Sequence, residues 1–173
     1  ISNNQAKKIS ININVGPNTK PFFNNLEYSI SQVSRLFPTK NEPSEVLVLQ
    51  YNFKDQEWAE EVARNKLLAS DYQQMVRWEN GLITRNNCET MTGNCRGSRQ
   101  VTPPSGIAVL LLGVENQLPR DPNSFDRLTR GMLEAHEYFH SLQRIPIMNR
   151  GIEIWPHAWF REGSAEWVQN AAI

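Results

Sequence analysis

The segment His136-Glu137-Tyr138-Phe139-His140 sets two histidines four residues apart with a glutamate directly after the first. In a helix of 3.6 residues per turn, positions four apart stand one above the other, so both imidazoles project from one face and can share one zinc ion. Glu137 lies about 100° around the helix from His136, beside a water on the metal and off the metal itself. That is where a general base belongs. Catalytic zinc normally takes three protein ligands and keeps a fourth position for water, so a third ligand must come from another part of the chain.

The stretch Trp159-Phe160-Arg161-Glu162-Gly163-Ser164-Ala165-Glu166-Trp167 offers one. Glu162 follows His140 by 22 positions, enough for one helix to end, a loop to reverse and a second helix to pack alongside. Gly163 and Ala165 are small enough to let the two helices approach closely. Glu166, one turn beyond Glu162, is placed to accept a hydrogen bond from the second nitrogen of a liganding histidine and so fix its tautomer. His157, the only other histidine, is a rival third ligand, 17 positions after His140. A pattern with a third histidine six positions after the second is excluded, because position 146 is Pro146. A first-turn histidine serves equally as a cap or a surface group, or as a contact to substrate or transition state. Trp155, Trp159 and Trp167 read as an aromatic platform or as packing. The two-turn spacing of Trp159 and Trp167 favours packing of one helix face against the core.

HExxH followed by Trp-x-x-Glu-Gly-x-Ala-Glu resembles the gluzincin metallopeptidases, particularly the peptidase MA-like group, over residues 132–169. The resemblance implies Glu162 as third zinc ligand, a small mixed sheet ahead of the zinc helix, and an edge strand that pairs with extended substrate, with Gly106–Val114 in the expected place. It implies amide hydrolysis of a peptide or protein substrate by an activated water, with Glu137 passing the proton on to the leaving amine. Such families carry a Tyr or His that steadies the tetrahedral intermediate, often downstream of the second helix, so the catalytic domain is expected to end short of that group at Ile173. Gly113-Val114-Glu115-Asn116 is similar to the Gly-x-Met-Glu-Asn element that captures a substrate amine in one gluzincin aminopeptidase family, one residue short and without the methionine. It gives Glu115 as a candidate substrate contact beside the plain reading of a turn. The alternative to hydrolysis is a non-catalytic binding or structural module retaining the scaffold. A structural zinc site needs no base, and Glu137 is present.

The elements that must position these groups follow from periodicity. Ile9, Ile11, Ile13 and Val15 alternate with polar residues, a strand with one buried face. Leu26, Ile30, Val33 and Phe37 recur at helical intervals within 22–37. Glu45–Tyr51 suits a strand covered on both faces, Gly106–Val114 is a continuous apolar run that reads as a central or cleft-lining strand, and 55–68 reads as a helix. From about Asn123 to Arg144, Leu128, Met132, Ala135, Phe139 and Leu142 define one face of a single long helix, expected to end near Ile145 because Pro146 disfavours helical backbone in the residue before it. A final helix is expected from about Pro156 to Ala171. The segment 78–105 is the least regular. The fold expected is α+β: a small mixed β-sheet packed on helices, with an HExxH helix and a second ligand-bearing helix.

With 173 residues, 39% of them hydrophobic, the chain fits one domain over 1–173. Lysine plus arginine and aspartate plus glutamate number 18 each, so no net field favours nucleic acid or an anionic membrane surface. No apolar run approaches the roughly 20 residues of a membrane span. Cys88 and Cys95, in a loop-like segment, fit a local disulfide of an exported protein as well as two free thiols. An extracellular setting is the expectation. Substrate specificity and oligomeric state are not written in these patterns.

Overall fold

The computed structural model describes residues 9–79, 88–96, 98–150 and 156–173. A four-stranded mixed sheet runs β1 (Ser10–Val15), β2 (Glu45–Tyr51), β6 (Ala108–Gly113) and β5 (Ser98–Val101), in that spatial order. The first three are parallel; β5 joins β6 antiparallel, with Ser98 opposite Leu112 and Val101 opposite Val109. Helices cover both faces. Alternate residues Val46, Val48, Ala108, Leu110 and Leu112 pack on α1 (Leu26–Leu36), α5 (Met132–Asn149) and α6 (Ala158–Ala172). Leu47, Leu49, Tyr51, Val109 and Leu111 face the other way, onto α2 (Gln56–Lys66) and α3 (Ala69–Glu79). This double burial explains why both central strands are continuously apolar: each side chain removed from water contributes about 1.5–3 kcal/mol on whichever face it lies. A short hairpin, β3 (Cys88–Glu89) and β4 (Asn94–Cys95), carries the Cys88–Cys95 disulfide.

The α+β class and the mixed sheet agree with the sequence reading, and three expectations are corrected. Gly106–Val114 is a central strand, as its continuous apolar run indicates, so the edge strand that the resemblance put there is instead β5, beside α5 and inside the stretch that showed no regular pattern. Four residues with three polar side chains and no apolar alternation carry too little signal to mark a strand. The single long helix is two: α4 (Pro122–Thr129) and α5. Asp121 caps α4 by accepting from Asn123 N and Ser124 N, each at 3.1 Å, with Pro122 in the first turn. The break falls at Gly131, whose φ is +84°. A Cβ there would stand 2.2 Å from Ser29 Oγ and 2.6 Å from the Phe23 ring, so the close approach to α1 and the backbone conformation both demand glycine. Third, α5 continues through Pro146 to Asn149. Proline removes one hydrogen bond and disfavours helix before it, but the bonds on either side carry the helix one more turn.

Among the described residues no helix is long and apolar enough to cross a membrane.

Candidate metal centre

Helix α5 is anchored by its inward face. Ala135 and Tyr138 are fully buried, and the Tyr138 hydroxyl meets Ser34 Oγ of α1 at 3.0 Å. With that face fixed against the sheet, His136, Glu137 and His140 point towards α6 and β5, each less than a tenth exposed. Helix α6 packs against α5 through Ala165 and Val168, both buried. Ala165 is the small residue at this contact. Gly163 is not, since a Cβ on it would meet nothing within 4 Å.

This packing brings the carboxylate of Glu162 to the two imidazoles. His136 Nε2 and His140 Nε2 are 3.1 Å apart, and Glu162 Oε2 lies 3.4 Å from the first and 3.3 Å from the second. Ligand atoms held about 2.0–2.1 Å from a tetrahedral zinc stand about 3.3 Å from one another. The His-His-Glu group therefore fits one metal ion with no rearrangement of its donors.

The electrostatics suit the same use. Burial, then the neighbouring His140 and Arg127, pushes the His136 pKa down to about 4, so this imidazole is neutral at ordinary pH, as a metal ligand must be. Burial works against ionisation of Glu162. The hydrogen bond from Arg161 Nε, at 2.7 Å, and the charges of His140, Arg161 and His136 outweigh it and hold the carboxyl below its ordinary value.

Glu137 is not part of the triad. Its Oε1 accepts a hydrogen bond from Ser98 Oγ of β5 at 2.5 Å. Burial raises its pKa above the ordinary carboxylate value, against the opposing pull of Ser98, His140 and Arg127. A cavity of about 450 Å³ opens beside it, lined by β5 residues from Ser98 to Val101 together with Glu137, His140, Arg144 and Glu162. A second, of about 400 Å³, lies against Arg127, His136, Glu162, Gly163 and Glu166. The triad stands between them, with Glu162 lining both.

The other sequence candidates fall differently. Glu166 comes to 3.9 Å from His136 Nδ1, beyond hydrogen-bond range, and among the described residues Nδ1 has no hydrogen-bond partner. His157 is exposed and caps α6 through its backbone carbonyl, which accepts from Phe160 N and Arg161 N at 3.0 Å. Glu115 follows β6 at a turn whose next residue, Asn116, is tied to Asn94 and Gly93 of the hairpin. Neither His157 nor Glu115 lines the two cavities beside the triad. Trp159 and Trp167 are not core residues as their spacing suggested: they are 75% and 63% exposed, although Trp167 meets the edge of the Phe37 ring. Trp155 lies outside the described residues.

Sequence reasoning missed Gln143, Ser98 and Arg127. Gln143 Oε1 pairs with His140 Nδ1 at 2.7 Å, while its Nε2 donates to Ser164 Oγ at 2.8 Å and Arg161 O at 3.2 Å. Because both acceptors take the amide NH2, the amide oxygen must face His140, which places the imidazole proton on Nδ1 and leaves Nε2 bare towards the triad. Its place one turn after His140 was a usable signal. Nothing local marks Ser98 or Arg127.

Comparison with known proteins finds no matching family model, no matching curated protein and no matching solved structure. The chemistry of the site accordingly rests on its own residues.

Proposed function

We propose that the protein is a zinc-dependent peptidase of the gluzincin type, with His136, His140 and Glu162 holding the metal and Glu137 acting as general base. The observation that carries this reading is the pairing of a preformed His-His-Glu triad with a carboxylate beside it that is bonded to Ser98 and left out of the triad. A structural metal site needs ligands only.

When bound, zinc supplies a Lewis acid that polarises a carbonyl and lowers the pKa of water to about 7. The remaining work belongs to the chain. Gln143 holds His140 in the tautomer that offers Nε2. Burial keeps His136 neutral. Ser98 bonds the Glu137 carboxylate at the cavity wall, and burial, by raising the pKa of Glu137, makes it a stronger acceptor for a proton from water, which it returns to a leaving amine. Among the described residues β5 pairs with β6 on one side only, so its other edge offers backbone donors and acceptors along the same cavity. Those groups suit an extended peptide, which adds to a sheet edge through main-chain hydrogen bonds. The disulfide fits an exported protein, and we place the enzyme outside the cell.

The test is digestion of a mixed peptide library by zinc-loaded protein, with Glu137→Gln as matched control. Chelator-sensitive cleavage by the parent, reduced at least 100-fold in the variant, is the expected result. A fully zinc-loaded parent that cuts nothing would overturn the peptidase reading in favour of a non-catalytic scaffold.

A further inference from the structure

Arg127, on α4, has no part in the reaction as described so far. It is half-buried and its Nε is out of contact with solvent; among the described residues that Nε lacks a hydrogen-bond partner and the guanidinium makes no ion pair. Its position makes this unusual. It lines the cavity on the α4 side of the triad together with His136, Glu162 and Glu166, and its charge is felt at both His136 and Glu137. A buried guanidinium donor without an acceptor costs stability, and two of the three nearby carboxylates are already engaged: Glu162 with Arg161 and the histidines, Glu137 with Ser98. Glu166 lies nearest His136 Nδ1, at 3.9 Å.

We propose that Arg127 is a catalytic residue that receives the substrate's carbonyl oxygen as it becomes an oxyanion. This rests on the peptidase reading above. Glu137 opens on the β5 side of the triad and Arg127 on the α4 side. A carbonyl lying across the triad then has the proton acceptor at one end and a cation at the other. Water gives its proton to Glu137 and its oxygen to the carbonyl carbon; the C=O π pair moves onto the carbonyl oxygen, where the guanidinium meets it. As that pair returns, the C–N bond breaks and Glu137 gives its proton to the amine. A donor whose attraction grows as charge develops speeds the reaction without tightening the ground state, and loss of one such donor typically lowers kcat by about 10²–10³. The helical run breaks at Gly131, and α4 leaves Arg127 on the wall of the cavity that His136 and Glu162 also line.

The experiment compares zinc-loaded parent, Arg127→Gln, Arg127→Lys and, as a control on the same helix, the exposed Arg130→Gln, by steady-state kinetics on a neutral peptide and on peptides with an acidic side chain or a free C-terminal carboxylate. A second readout, independent of turnover, is the affinity of each protein for a phosphinic peptide, a tetrahedral anion. The expected result is kcat lower by about 10²–10³ in Arg127→Gln on every peptide with KM within a few-fold, a smaller loss in Arg127→Lys, none in Arg130→Gln, and phosphinate binding weakened at least tenfold at unchanged zinc content. Unchanged kcat and phosphinate affinity would overturn the proposal. A higher KM confined to one carboxylate-bearing class would also overturn it, assigning Arg127 to an acidic side chain or a chain terminus according to the class affected. So would loss of zinc from Arg127→Gln, which would make the residue a support for the ligands. If the parent cleaves no peptide, the phosphinate affinities decide alone: dependence on Arg127 sustains the anion site while the peptidase reading falls, and independence removes both.

Discussion

Replacing Gln143 separates the two tasks that the structure gives it. Its amide oxygen fixes the His140 tautomer, and its amide nitrogen ties α5 to the first turns of α6 through Arg161 O and Ser164 Oγ. Gln143→Leu keeps much of the volume and removes all three bonds. Loss of a partner that orients a ligand histidine costs about 10–100-fold in metal affinity, equivalent to about 1.4–2.8 kcal/mol. The two lost helix-to-helix bonds cost a further ~1 kcal/mol each in the metal-free protein. For a chain of this size that lowers Tm by about 4–8 °C. Gln143→Glu retains an acceptor for His140 Nδ1 but has no amide donors, so zinc affinity should stay within a few-fold of the parent while the metal-free Tm still falls. Competition against a chromophoric chelator reads the affinity, and circular dichroism in excess chelator reads the Tm. Equal zinc affinity in Gln143→Leu and the parent would refute the tautomer argument. Loss of affinity in Gln143→Glu equal to that in Gln143→Leu would show that the helix tether, and not the proton on Nδ1, governs binding.

Glu134→Gln should stabilise the metal-free protein at pH 8 and not at pH 4. Burial, partly offset by a backbone hydrogen bond and reinforced by the charge of Glu137, raises the Glu134 pKa from 4.5 to about 7. The folded state therefore keeps its proton where the unfolded state has lost it, and stability falls as pH rises from about 4.5 to 7, by on the order of 3 kcal/mol. Thermal melts of both proteins across this range check it, and a constant difference would contradict it. Gly131→Ala should lose about 2–4 kcal/mol, from about 1–2 for left-handed backbone and a similar amount for overpacking against Phe23 and Ser29. Urea denaturation measures this, and a loss under 0.5 kcal/mol, roughly the scatter of neutral surface substitutions, would rule out the close packing of α4–α5 on α1.

Much of this molecule was legible one segment at a time. The central strands β2 and β6 announced themselves as apolar runs, and α1 through Leu26, Ile30 and Val33, because a buried strand or helix face imposes its own repeat on the residues it covers. The HExxH spacing placed His136 and His140 on one face and Glu137 off it for the same reason: the helix fixes those angles whatever surrounds it. Where a local pattern was read too far, as in the single helix over 123–144, the error lay in one glycine whose need is set by Ser29 and Phe23, about 100 residues away in the chain.

The sequence by itself determined the chemistry on offer: two imidazoles and a carboxylate at helical spacing, with a second acidic helix downstream to complete a metal site. Tertiary structure alone decided that Glu162 reaches within 3.4 Å of both histidines, that Ser98, 39 positions before Glu137, bonds its carboxylate, and that Arg127 shares a cavity wall with His136 and Glu162. Spacing within one helix is set by backbone geometry and survives in the sequence as a period. Contacts between separate elements are set by which faces the core buries against each other, and that packing leaves no local period to read.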